Sequence, residues 1–276
     1  MLNNTQIDKL ANDLISQVDL SACLKTFEWD RQGLQLAWAS RQALADGRFG
    51  DTVEQYAERV HKWGFGTSVR ASVVQHEAYS SSMRALCQTW SDEVAPWSCP
   101  EAIESLVALL EIKYVGIARV SKFVCFIDQD RFAIYDSRVS YALKDLTLDG
   151  IQRVFPFVGG RPVKNARYVL ADIMAAKPRH MTAVYVAFLC LLQRVAETLN
   201  QRGGVSDSTL QQAVGKQWTP ALLEMALFMA GRQRLKTAAI RRLDTPLWDR
   251  LAASVASPAS DRSAAGTANI VAASST

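Results

Sequence analysis

The stretch Lys113–Leu143, KYVGIARVSKFVCFIDQDRFAIYDSRVSYAL, decides the fold. Its apolar residues recur at helical spacing from about Val115 to Ile127, which predicts one helix there. The charged turn Asp128-Gln129-Asp130 and a short extended segment, Phe132-Ala133-Ile134, follow. A second helix opens at about Asp136, because an acid at that position accepts the orphan amides of the first turn and suits the positive end of the helix dipole. Packing explains most side chains of the stretch. It does not explain Lys122, a lysine early in an apolar helix, or the acid Asp136 placed directly after the aromatic Tyr135.

Helical patterns continue on both sides. Upstream, Thr5–Val18 carries an i, i+3, i+4 stripe of Ile7, Leu10, Ala11, Leu14 and Val18. Shorter helices are predicted over Leu34–Leu44 and Val53–Val60, the latter capped by Asp51. Trp63-Gly64-Phe65-Gly66 reads as an aromatic loop. Ser72–Trp90 is helical in pattern, and Ser98 with Glu101 has capping-box spacing for a helix from Cys99 to about Glu111.

Downstream, Gly150, Pro156, Gly159-Gly160 and Pro162 break the chain into a connector bearing Arg153, Arg161 and Lys164. Thr182–Leu199 is apolar nearly all round, as a buried scaffold helix is. Ser208–Val214 and Pro220–Met229 follow, the latter with Thr219 as cap and proline in its first turn. A basic run (Arg232, Arg234, Lys236, Arg241, Arg242) leads towards Arg250, and the Ala/Ser-rich residues 251–276 have little to bury and read as a disordered tail. No period-two run and no internal repeat interrupts this pattern. The expectation is an all-α body over residues 1–250, in two intimate lobes, without a β-sheet.

Composition narrows the function. With 49% hydrophobic and 21% charged residues, the chain falls among globular proteins, and a net charge of +4 is compatible with nucleic acid without establishing it. Five cysteines form no CxxC pair and only three histidines occur, which argues against a metal site of standard spacing. The cysteine usage fits a reducing cytoplasm, the first residues lack the apolar core of a secretory leader, and no membrane association is expected.

The run SKFVCFIDQDRFAIYDSRVSYAL, within Gly116–Leu143, resembles the bacterial 8-oxoguanine DNA glycosylase fold proteins, a branch of the helix-hairpin-helix DNA glycosylase superfamily. The resemblance implies a two-lobed helical fold and double-stranded DNA with a flipped modified base as partner, with no cofactor. It places the superfamily's nucleophilic lysine on Lys122 and its catalytic aspartate on Asp136. It also suggests Trp63, Phe65 and Tyr135 as walls for the base, and Arg119, Ser121 and Arg138 as contacts to DNA. These residue types suit the reaction. A carboxylate near C1′ stabilises the positive charge that builds on the sugar as the glycosidic bond breaks. A lysine amine attacking C1′ gives a covalent Schiff base and allows strand cleavage by β-elimination.

A plainer assignment stays open on the residues alone. Lys122 can face solvent, Asp136 can serve only as a cap, and the aromatics can fill a lobe junction. On that assignment the chain is a non-catalytic helical module that binds nucleic acid or a protein. Geometry separates the two, since an enzyme needs Lys122 and Asp136 on one cleft large enough for a base.

Overall fold

The structure, a computed structural model, describes residues 2–28, 53–66, 79, 81–83, 85–86, 100–159, 172 and 176–235. The expected helix over Leu34–Leu44, much of Ser72–Trp90, the cap Ser98, the cations Arg161, Lys164, Lys236, Arg241 and Arg242, and the tail lie outside them.

Helices dominate. α1 (Asn4–Gln17) starts at a reciprocal capping box: Asn3 Oδ1 accepts from the Gln6 amide at 2.9 Å and Gln6 Oε1 accepts from the Asn3 amide at 3.1 Å. α2 (Leu20–Lys25) is capped by Asp19. α3 (Val53–Phe65) runs further than its apolar stripe predicts. Trp63, Gly64 and Phe65 form its last turn rather than a loop, and Gly66 ends it with φ at +68°. α4 (Pro100–Glu111) turns tightly through Tyr114, at φ +72°, into α5 (Ile117–Ile127). α6 (Ser137–Ala142) is short and capped by Asp136, as the sequence predicts.

A small antiparallel ribbon, β1 (Thr147–Leu148) with β2 (Ile151–Gln152), closes through Asp149-Gly150. The sequence expectation had no strand. Two residues a side are too few to show period-two alternation, and the positive φ of both Asp149 and Gly150 makes the hairpin.

α7 (Pro178–Gln201) carries proline at its start and is the scaffold. By length and composition it could cross a membrane, but 67% of its most apolar window is buried inside the molecule. α1 packs along it, and Arg194 meets Asp8 across that contact at 3.1 Å. α8 (Ser208–Val214) and α9 (Pro220–Leu235) complete the described order. α9 packs against α2, α6 and α7.

The α9–α6 crossing depends on one glycine. A β-carbon on Gly231 would overlap the backbone carbonyl of Arg138, with its carbonyl carbon at 2.6 Å. Backbone cannot swing aside as a side-chain tip can. Gly231→Ala should therefore destabilise the fold by about 2–3 kcal/mol, although alanine is the better helix former. Chemical denaturation measures this, and a stability gain would contradict the crossing.

Candidate active site

The local architecture brings Lys122 and Asp136 together through their neighbours. Ser121 and Tyr135 are both buried, and the Tyr135 amide donates to Ser121 Oγ at 3.0 Å. The Tyr135 hydroxyl donates to the Pro156 carbonyl at 2.7 Å, and its ring meets Phe188 edge-on at 5.0 Å. Tyr185 fixes the same segment by donating to the Ala133 carbonyl at 3.0 Å. This clasp holds the segment before α6 against α5. The next residue on each strand of the clasp is Lys122 on one side and Asp136 on the other.

Lys122 Nζ lies 3.7 Å from Asp136 Oδ2. The lysine is buried and the aspartate largely so. Asp136 Oδ1 accepts from the amides of Arg138 (2.9 Å) and Val139 (3.1 Å), so capping occupies one carboxylate oxygen and leaves the other for the lysine. Both residues line a cavity of about 340 Å³.

Besides α3 and the residues after α2, three parts of the chain line that cavity, each by its own periodicity. From α5 come Lys122, Cys125 and Phe126, an i, i+3, i+4 face. The segment before α6 contributes Ile134 and Asp136, alternate residues of non-helical chain. From α9 come Glu224, Phe228 and Arg232, spaced one helical turn apart.

The other expected site residues divide. Trp63 lines the cavity and packs edge-on against Phe126 at 4.8 Å. Phe65, 39% exposed, is not part of the wall. Its ring lies beside the cavity under two cations, with Arg119 at 4.8 Å and Lys122 Nζ at 5.2 Å. Tyr135 is no wall for a ligand: it points into the core, because it alternates with Ile134 and Asp136. Ser121 is fully buried and spent on the clasp, so its side chain offers nothing to a phosphate. Arg138 does line the cavity, with its guanidinium 4.4 Å from the Phe228 ring.

Of the downstream cations, Arg232 reaches the cavity. Arg153 instead pairs with the buried Asp172 at 2.8 Å. Arg234 donates to the Ala142 carbonyl at the end of α6, at 3.0 Å, and contacts Asp145 at 3.3 Å. Those two arginines hold the fold, where the sequence suggested phosphate contacts.

Three participants were not legible in the sequence. Gly64 allows α3 to approach, since a β-carbon there would fall 2.6 Å from Lys122 Cδ and 2.9 Å from Cε. Glu224 is buried on the cavity wall at 3% exposure. Burial, and then the charge of Asp136, push its carboxyl well above the usual range, with Lys122 opposing. The available signal was a lone acid inside the apolar run Ala221–Ala230.

His61, on α3, is the third. It is 1% exposed with Nδ1 unpartnered. Burial first, and then the nearby positive charge of Arg119, lower its pKa from 6.5 to about 4. The unfolded chain therefore takes up a proton below pH 6.5 that the folded chain refuses until about pH 4. Stability from this group is complete above pH 6.5 and is lost as pH falls through that window. The loss is on the order of 3 kcal/mol. His61→Gln should flatten the difference in denaturation free energy between pH 7 and pH 4.5 by roughly that amount; an unchanged difference would contradict a neutral His61.

Compared with known proteins, the chain matches no family model, no curated protein and no solved structure.

Proposed function

We propose that this chain is a DNA N-glycosylase, with lyase activity, that excises a modified base through Lys122 and Asp136 acting at C1′. The observation that carries the proposal is the 3.7 Å pairing of a buried lysine with a capping aspartate on the wall of one cavity. About 340 Å³ falls within the roughly 300–1,000 Å³ of small-ligand pockets. The aromatic Trp63, Phe126 and Phe228 supply apolar faces of the kind that receive a flipped base.

In this mechanism the base leaves the stack and enters the cavity, and C1′ comes up beside the Lys122–Asp136 pair. The C1′–N bond breaks with its electron pair moving to the base. Asp136 stabilises the positive charge building on the sugar. Lys122 passes its ammonium proton to Asp136, the freed amine bonds C1′, and ring opening gives the imine from which β-elimination cuts the strand. The exposed Lys113-Tyr114 turn leads to α5, whose N-terminus at Gly116 carries no side-chain cap and leaves first-turn amides for a phosphate. The two-lobed helix-hairpin-helix arrangement belongs to the same proposal. So does the substrate class, an 8-oxoguanine-like purine or a modified phage base, in DNA repair or phage defence.

The test is to incubate the full chain with duplexes that each carry one modified base and to assay free base by mass spectrometry. Release of at least one base supports the proposal. Retained DNA binding without release of any would favour the non-catalytic binding module.

A further inference from the structure

Glu224 is a buried acid on the cavity wall that the lysine–aspartate chemistry leaves without a task. We propose that it is the general acid that protonates the departing base, an inference that rests on the glycosylase proposal above.

Glu224 projects from α9 into the same cavity that Lys122 and Asp136 line from α5 and the start of α6. It is 3% exposed, and no described residue gives its carboxyl a hydrogen bond or an ion pair. A buried, unpartnered carboxyl costs stability. Its helix neighbours Leu222, Leu223, Ala226 and Leu227 are buried and apolar, so packing there asks for no acid. A group kept in such a place is explained by a ligand that meets it.

Three carboxyl groups line this cavity; Glu28 is exposed at its edge, and the two inner ones, Asp136 and Glu224, are not equivalent. Asp136 is capped by two amides and paired with Lys122, which suits a carboxylate. Glu224 has neither, and the charge of Asp136 helps it hold its proton. Two acids in contrasting surroundings divide into charge stabiliser and proton donor. The titratable and charged groups around Glu224 are Lys122 and Cys125 from α5, Asp136 and Arg138 at the start of α6, Tyr185 from α7, Glu28 after α2 and Arg232 from its own helix; of these Asp136 raises and Lys122 lowers its carboxyl. Cys125 and Tyr185 are neutral, because burial pushes both well above their ordinary values.

The proton balance closes within the site. As the C1′–N bond breaks, its electron pair passes to the base, and the Glu224 proton goes to the base nitrogen or oxygen where that charge gathers. Glu224 is left as a carboxylate. The Lys122 ammonium passes one proton to Asp136 across their 3.7 Å contact, which frees the amine to bond C1′, and the bonded nitrogen then gives a second proton to O4′ as the sugar ring opens to the imine.

Glu224→Gln keeps the shape and removes the acid. The probes are a duplex carrying 8-oxoguanine, or the modified base that the wild type releases fastest, and the same duplex with a preformed abasic site. Single-turnover base release should fall by about 100-fold or more. Borohydride trapping on the abasic duplex should stay at the wild-type level, since no base remains to leave. Wild-type base release by Glu224→Gln overturns the assignment. So does an equal loss of abasic trapping, which would mark Glu224 as structural. Should the variant not fold, the wild type decides: release must decline at alkaline pH relative to abasic trapping, and parallel profiles refute the acid. A wild type that neither releases a base nor traps an abasic site removes the glycosylase proposal itself, and this one with it.

Discussion

Asp136→Asn should lower base release by about two to three orders of magnitude while leaving the fold and DNA binding near wild type. The reason lies in the division of labour between its two oxygens. Oδ1 accepts from the amides of Arg138 and Val139, and asparagine caps a helix about as well as aspartate does. Oδ2 faces Lys122 across 3.7 Å, and there the substitution removes a negative charge. Only the second change bears on a sugar that gains positive charge in the transition state. Single-turnover kinetics beside a binding isotherm and a melting curve check all three parts. Wild-type release in this variant would overturn the role of Asp136, and a large stability loss would show that the cap had been undervalued.

Lys122→Gln should abolish covalent capture and strand nicking together. Glutamine has no amine to bond C1′, so neither the imine nor β-elimination can form. Residual base release, with water attacking in place of the lysine, is compatible with the variant; residual nicking is not. The substitution also withdraws the cation that opposes proton retention at Glu224, which shifts that carboxyl further upward. Strand cleavage resolved by denaturing gel, with and without alkali, separates nicking from base release.

Local signals explain what was readable before the structure. The helices around Lys122 and after Asp136 follow from apolar spacing and a capping acid, both of which act within a few residues. The pairing of those two residues was carried by a resemblance, and its geometric basis, the Ser121–Tyr135 clasp, is a contact across 14 positions that no local pattern encodes. Tyr135 was assigned to the wrong surroundings because adjacency in sequence was taken for adjacency in space. In non-helical chain the neighbour of a cavity residue points away from the cavity. Trp63-Gly64-Phe65-Gly66 resembled a loop because two glycines punctuate it, yet Gly64 is helical and serves the close approach to the lysine stem. Glu224 was hidden for the opposite reason: an apolar helix reads as core, and only the tertiary fold shows which of its residues border a cavity.

Lys122 is proposed to bond C1′ of DNA at this cavity. Borohydride reduction of the full chain with a duplex bearing a released or preformed abasic site tests it directly, followed by protease digestion and mass mapping of the adduct. One covalent adduct is expected, located on Lys122 and absent from Lys122→Gln. No adduct with the wild type, or an adduct that maps to another lysine and persists in Lys122→Gln, would contradict it.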